Sequence, residues 1–128
     1  MQIDESHSAC ICARAPWNDT GIDLSRGQKY RLAATGQWFD RNIETGPCGY
    51  TRNSILFRLA APRRRQPDAN WFALIGSIGA TRENQFLIAC GCDYLPVQDG
   101  RLYCFANDVR IAYCNNSGHI QLTVTRIA

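Results

Sequence analysis

The sequence predicts an all-β protein, an antiparallel β-sandwich or jelly-roll. It contains seven or eight short strand-like stretches, no convincing amphipathic helix, and turn residues at frequent intervals. With 128 residues, the chain can form one domain with a genuine core but not two domains of ordinary size. We therefore predict a single domain over residues 17–128. Residues 1–16 are predicted to be a leader that ends at Ala15-Pro16, where proline interrupts regular structure.

The first predicted strands alternate apolar and polar residues. Residues 20–24 and 30–34 show this alternation on either side of a turn at residues 25–27, which predicts a hairpin. The segment 38–50 has no clean period and contains Gly-Pro, so we predict a long loop, the kind of segment that often carries binding residues. Residues 54–61 are predicted as a strand, although so short an apolar run is also compatible with a helix.

The second half of the chain contains four further predicted strands. They are residues 71–79, 85–90, 101–106 and 119–125, and the last shows the clearest two-residue period. In such a fold, separate loops meet at one end of the sandwich, which makes segments 38–50 and 108–118 the candidates for a shared site.

The composition excludes several classes of function. Hydrophobic residues make up 45% and charged residues 20% of the chain, as in soluble globular proteins, and the net charge of +3 does not suggest a nucleic-acid partner. Arginine supplies 13 of the 14 basic residues, and the run Arg63–Arg65 predicts a solvated loop. No apolar run approaches the roughly 18 residues of a transmembrane helix, so no membrane span is expected.

The seven cysteines leave the redox compartment open. The first residues lack a basic start and an apolar core, so no signal peptide is recognised, and a cytoplasmic protein with reduced thiols is expected unless it is released by a signal-independent route. After export, up to three disulfides could form. A zinc site is not favoured, because Cys10-Ile-Cys12 and Cys90-Gly-Cys92 have one intervening residue where structural zinc usually has two to four.

The stretch Asn107–Gly118 holds one carboxylate and two adjacent carboxamides between two predicted strands. Asp108, Asn115 and Asn116 are hard oxygen donors of the kind that Ca²⁺ accepts together with backbone carbonyls. On local composition alone, however, an ordinary hairpin loop is the expectation, because the same residue types favour turns. The spacing also differs from that of a helix-loop-helix calcium site.

In this stretch the sequence resembles the LecA-like (PA-IL-like) galactophilic bacterial lectins. The most specific match is Asn-Asp-Val, then Tyr113, then Asn-Asn-Ser-Gly, at the spacing of the family's metal loop. The other matching pieces run in order over most of the chain and are mostly structural glycines and core positions: Trp17 with Thr20–Ile22, Gly27, Ala33–Gly36, Gly46–Gly49, Ala73–Gly79 and Gly100–Leu102.

The resemblance implies a galactose-binding-domain-like β-sandwich holding one Ca²⁺, through which two neighbouring sugar hydroxyls bind. It also implies a multivalent homo-oligomer. Carried over by position, the implied metal ligands are Asp40, Asp108, Ala112 through its backbone carbonyl, Asn115 and Asn116. The implied carbohydrate-binding residues are Asp108, Val109, Arg110 and Asn115.

Two departures from the family pattern concern specificity. The family's His and Gln contacts to galactose have no alignable counterpart, since residues 51–67 contain no His and only Gln66. Arg110-Ile111 stands where the family has Pro-Gly, which suggests the hypothesis of an acidic sugar or another polyhydroxylated ligand.

Two other functions are weighed against carbohydrate binding. A protein-interaction module could keep the scaffold without the metal and use Arg63–Arg65, Trp71 and exposed aromatic residues as its interface. An enzyme is not expected, because His7 lies in the predicted leader and His119 lies on the outward side of a strand.

Overall fold

The protein consists of two antiparallel β-sheets, and the computed structural model describes residues 1–128. The nine strands are β1 Ser6–Cys12, β2 Asn18–Leu24, β3 Tyr30–Asp40, β4 Ile43–Thr45, β5 Leu74–Ile78, β6 Gln85–Leu87, β7 Gly91–Tyr94, β8 Gly100–Ala106 and β9 Asn116–Arg126. One short helix, α1, spans Ile55–Ala60. Three 3₁₀ helices span Ala61–Arg63, Arg82–Asn84 and Arg110–Asn115.

The first sheet has the strand order β1-β9-β3-β4, and β7 pairs with the first half of β3 on the side away from β9. The second sheet has the order β2-β8-β5-β6. All strand pairs are antiparallel. The predicted antiparallel β-sandwich is therefore confirmed.

The core lies between the two sheets and follows the two-residue period of the strands. Ile120, Leu122 and Val124 of β9 are buried and alternate with more exposed residues. They belong to a cluster of 18 buried residues drawn from both sheets, in which Trp38 and Tyr30 of β3 are the largest side chains. Burial of this apolar surface is the main stabilising contribution to such a fold.

Two predictions about the first half of the chain are wrong. The predicted leader contains strand β1, which pairs with β9 over seven residue pairs and buries Ile11 completely. The predicted hairpin of residues 20–34 does not form, because β2 belongs to the second sheet and β3 to the first. The apolar faces were recognised correctly, but both sheets of a sandwich have an inward face.

The segments 38–50 and 54–61 also differ from prediction. The predicted long loop contains the end of β3 and the short strand β4, which form a tight hairpin around Arg41 and Asn42. The predicted strand at residues 54–61 is helix α1, which begins after Ser54, whose hydroxyl accepts a hydrogen bond from the N–H of Phe57. Phe57 of this helix packs inward, against Tyr50 and Trp71.

One disulfide joins Cys48 to Cys90, with 5.1 Å between their Cα atoms. It links the segment after β4 to the residue before β7. The other five cysteines are unpaired, and Cys10 and Cys12 are exposed on β1. No helix in the structure combines the length and apolar character needed to cross a membrane.

The contribution of β1 can be tested with Ile11→Ala. We expect a loss of about 2 to 5 kcal/mol in the free energy of unfolding, because the change removes a fully buried side chain from the core. The control, Ser8→Ala on the exposed side of the same strand, should change it by no more than about 0.5 kcal/mol. Urea denaturation measures both. Equal small effects would mean that residues 1–16 behave as a leader after all.

Candidate functional site

The site predicted from the sequence lies in the connection between β8 and β9. This connection passes from the second sheet to the first, so it is not the hairpin turn that local composition suggests. Residues Arg110–Asn115 within it form a 3₁₀ helix. The polar residues are therefore held by a crossover between two sheets rather than by a two-strand turn.

Asn107 anchors the start of this connection. Its side chain is fully buried, and its Oδ1 accepts a hydrogen bond from the backbone N–H of Gln66 at 2.9 Å. Its Nδ2 donates to the carbonyls of Gln66, Ala69 and Asn70 at 2.9, 3.2 and 2.9 Å. Because these bonds satisfy the whole carboxamide, Asn107 is a structural residue that fixes the position of Asp108 beside it.

Arg65 packs beneath the 3₁₀ helix, on the side that faces the protein interior. The prediction that Arg63–Arg65 is a solvated loop is therefore wrong for Arg65. Arg65 is only 6% exposed, and its guanidinium lies 3.4 Å from the ring centroid of Phe105 and 4.5 Å from that of Trp17. Its Nη1 donates to the hydroxyl of Tyr113 at 2.9 Å, and that hydroxyl donates to the carbonyl of Ala106 at 2.6 Å. Aromatic rings replace water around this cation, which is why a basic residue can be buried here.

Asp40 reaches the site through the register of the first sheet. It is the last residue of β3 and pairs directly with Asn116, the first residue of β9. The N–H of Arg41 donates to the carbonyl of Asn115 at 3.2 Å, which extends the pairing. Tyr50 donates its hydroxyl hydrogen to Asp40 Oδ2 and fixes that carboxylate.

A cavity of about 240 Å³ brings most of the predicted residues together. Its lining includes Asp40, Asp108, Val109, Ala112 and Asn115. Its apolar wall comes from Leu56, Phe57, Ala60 and Trp71.

Asn116 and Arg110 lie outside the lining of this cavity. Asn116 is buried beside it, and its Nδ2 donates to the carbonyl of Ala13 at 3.2 Å. Arg110 lines a neighbouring groove instead.

Three oxygens at this site are buried without a hydrogen-bond partner. They are Asp108 Oδ2, Asn115 Oδ1 and Asn116 Oδ1, and no other buried side-chain oxygen in the protein lacks one. Buried polar atoms are nearly always paired, because leaving one unpaired costs about 1 to 3 kcal/mol. Unpaired acceptors concentrated on three predicted ligands indicate a place where a cation or a donor group would be stabilised.

The electrostatics of the site agree with a concentration of negative charge. Burial and the neighbouring charge of Asp40 raise the pKa of Asp108 to about 6, although the N–H of Val109 and the nearby carboxamide of Asn116 act in the opposite direction. Burial and the hydrogen bond to Asp40 raise the pKa of Tyr50, so its hydroxyl stays protonated and remains a donor.

The donor set decides which cation this site could hold. No group of three or more His, Cys, Asp and Glu side chains lies together in the protein. Two carboxylates, two carboxamides and backbone carbonyls are instead oxygen donors, and these fit Ca²⁺.

Two residues of the site could not be recognised from their local sequence. Tyr50 comes close to Asp40 because it forms an isolated β-bridge with Trp71, and no pattern around residue 50 indicates this contact. Arg65 resembles its neighbours Arg63 and Arg64 in sequence, and only the aromatic residues of distant segments distinguish it.

Comparison with known proteins supports the fold. No protein-family model matches the sequence, and no curated protein matches it. Among solved structures, the chain is similar to one described as "EclA N-terminal domain; PllA-like lectin", with a TM-score of 0.70 and 18% sequence identity over 93% of this chain and 94% of that chain. At this level of identity the likeness shows a shared fold, and it covers nearly the whole of both chains.

The raised pKa of Asp108 predicts how stability varies with pH in the presence of a chelator. Because the folded-state pKa of about 6 lies above the ordinary value of 3.8, folding favours the protonated acid. Wild-type protein should therefore lose stability as the pH rises from about 4 to about 6, relative to Asp108→Asn, whose neutral carboxamide mimics the protonated acid.

Urea denaturation at several pH values in chelator measures this difference. The Asp108→Asn variant should match wild type near pH 4 and exceed it at pH 7. Glu44→Gln removes an exposed carboxylate from the adjacent β4 and should follow wild type at every pH. A pH-independent difference between Asp108→Asn and wild type would show that Asp108 does not titrate as described.

Proposed function

We propose that this protein is a calcium-dependent carbohydrate-binding module. Asp40, Asp108, Asn115 and Asn116 would hold Ca²⁺ through their side chains, and Ala112 would add its backbone carbonyl. Asp108, Val109, Arg110 and Asn115 would contact the sugar. The lectin-like structural neighbour and the resemblance in the β8–β9 connection both support this assignment.

The observation that carries the proposal is the set of three unpaired buried oxygens on Asp108, Asn115 and Asn116. A turn needs its polar side chains to bond the local backbone, as Asp108 Oδ1 does with the N–H of Val109 at 2.7 Å. The three remaining oxygens have no such bond. A hard cation is the partner that two carboxylates and two carboxamides would stabilise best.

The surroundings of the cavity suit a sugar. Ca²⁺ takes about 6 to 8 oxygen ligands, more than the five residues offer as single donors, so hydroxyl groups of a ligand could complete the coordination. The apolar wall at Leu56, Phe57 and Ala60 offers a surface for the C–H face of a sugar ring. Val109 lies on the same cavity.

The specific sugar that we propose is galactose, and this choice rests on the family resemblance alone. Helix α1 lies within residues 51–67, which contain no His, and its exposed residues are apolar or basic. The preference among neutral sugars therefore has to be measured directly.

A protein-interaction module without a metal is the second candidate function. The exposed side chains of Leu56, Leu59 and Ile111 favour it, at 72 to 91% exposure. Trp71 does not contribute to such a surface, because it is 5% exposed and stacks against Arg64.

Thermal unfolding distinguishes the two candidates. The midpoint should rise when chelator is replaced by millimolar Ca²⁺, and rise again with one of galactose, mannose, fucose or glucose. A ligand at 100 times its dissociation constant adds about 2.7 kcal/mol of stability, which corresponds to roughly 10 °C for a domain of this size. No rise with Ca²⁺ would favour the protein-interaction module.

The Asp108→Ala variant tests the metal ligands. It should abolish the calcium-dependent rise and leave the protein folded in chelator, because Asp108, although buried, lies outside the hydrophobic clusters and its Oδ2 has no hydrogen-bond partner to lose. The variant Glu44→Gln, with the same loss of charge, should keep the full rise. Unfolding of Asp108→Ala in chelator would identify Asp108 as a structural residue.

A further inference from the structure

A second, larger cavity lies beside the candidate calcium site. This groove has a volume of about 750 Å³ and is lined by residues from segments 56–65, 82–85 and 109–111. It shares Leu56, Ala60 and Val109 with the smaller cavity, so the two are separated by one layer of side chains.

The groove carries an uncompensated positive charge. Its lining contains five arginines and no acidic residue: Arg63, Arg64, Arg65, Arg82 and Arg110. The basic residues that form ion pairs in the protein are His7, Arg31 and Arg101. None of the five arginines of the groove therefore has an acidic partner. Asp68 lies near Arg64 but accepts a hydrogen bond from Gln66, and Glu83 follows Arg82 in the chain without pairing with it.

Two of these arginines have buried donors without acceptors. Arg65 is 94% buried, and its Nε and Nη2 lack partners, as does Nε of Arg64. Four buried side-chain nitrogens in the protein lack a hydrogen-bond partner. Three are these arginine nitrogens, and the fourth is Nε1 of Trp38. Arg65 Nη1 is hydrogen-bonded, and aromatic stacking stabilises the guanidinium but does not satisfy Nε and Nη2, so an acceptor oxygen in the groove would be favoured.

Apart from Gln85, the rest of the lining is apolar. Leu56, Leu59 and Ile111 are largely exposed and form the rim beside the arginines. An occupant with both apolar C–H surface and acceptor oxygens suits this combination better than a bare ion. The volume also lies within the roughly 300 to 1,000 Å³ of small-molecule sites.

We propose that the groove is a subsite for the acidic group of a longer glycan, whose neutral end occupies the calcium site. The inference rests on the proposed function, because the position of the groove next to the calcium site is what selects a saccharide. The acidic group is a carboxylate or a sulfate ester, which the planar guanidinium group binds through paired hydrogen bonds. A nucleic acid is less suitable, since the charge is confined to one groove and the net charge is only +3.

Calorimetric titration of the full chain in Ca²⁺ tests the proposal with three disaccharides. All have the same unmodified galactose at one end, and the second ring is glucose, sulfated glucose or glucuronic acid. We expect at least one acidic disaccharide to bind about 5-fold or more tightly than the neutral one, with the preference falling as salt increases. The two acidic compounds distinguish sulfate from carboxylate.

The double variant Arg63→Gln/Arg82→Gln tests the origin of the preference. Both residues are exposed, so folding should be unaffected. The preference for the acidic disaccharide should fall by about half or more, because two of the five arginines are removed while Arg64, Arg65 and Arg110 remain, and the affinity for the neutral one should stay the same. The matched control is Arg58→Gln/Arg52→Gln, which removes two exposed arginines of the same region that do not line the groove and should keep the preference.

The outcomes separate the two proposals. Equal binding of all three disaccharides by wild type would overturn the acidic subsite and leave the calcium-dependent module standing. An equal loss of preference in the control variant would overturn it too, because the effect would then come from net charge. Absence of binding by every disaccharide in Ca²⁺ would overturn the proposed function for galactosides, and this inference with it.

Discussion

The pairing of β3 with β9 is the interaction on which the rest of the structure depends. It runs over eleven residue pairs, from Tyr30 opposite Arg126 to Asp40 opposite Asn116. Its inward residues supply the middle of the core, and its far end lies at the candidate site. A slip of one residue would turn every side chain of one strand to the other face. The same register that buries Leu122 and Val124 therefore places Asp40 next to Asn116.

The site is built from polar groups that the fold keeps away from water. Asp108 and Asn116 are each 2% exposed, yet each keeps an oxygen without a partner. Such groups are unfavourable in a folded protein unless the surrounding structure holds them in place. Here Asn107 and Arg65 do so, because one bonds four backbone groups of segment 66–70 and the other stacks on aromatic rings beneath the 3₁₀ helix. Asn107 is thus fully hydrogen-bonded, whereas Asp108 and Asn116 beside it are not.

Patterns in the sequence were sufficient for the fold class and for the strands with a clear period. The alternation at residues 119–125 identified β9, and the alternations before residue 35 identified inward-facing strands. They could not show which sheet each strand joins, since either sheet of a sandwich accepts the same pattern. The alternation of Ile55, Phe57 and Leu59 was misleading, because α1 leaves two of these side chains in solvent. Its capping by Ser54 was the only local sign of a helix.

The site residues differ in how far the sequence alone predicts them. The polar residues of the β8–β9 connection stand close together in the sequence, so their types already suggested oxygen donors. Asp40 was reached only by counting along a family pattern, yet the register of β3 and β9 places it beside Asn116. Tyr50 and the burial of Arg65 depend on contacts between distant segments, and such contacts leave no mark on the residues nearby. The interpretation of Arg63–Arg65 as a solvated loop failed for this reason.

The charges on the two sides of the shared wall explain why the two cavities are best considered together. Asp40 and Asp108 provide two negative charges on one side, where Arg41 also lines the cavity, and five arginines lie on the other. A divalent cation would balance the two carboxylates, after which the arginines would dominate the field of the whole region. A ligand suited to both cavities then needs neutral hydroxyl groups at one end and an anionic group at the other. A flat protein partner would contact the exposed leucines of α1 but would leave the buried N–H groups of Arg64 and Arg65 unpaired. A ligand small enough to enter the groove therefore matches its interior better.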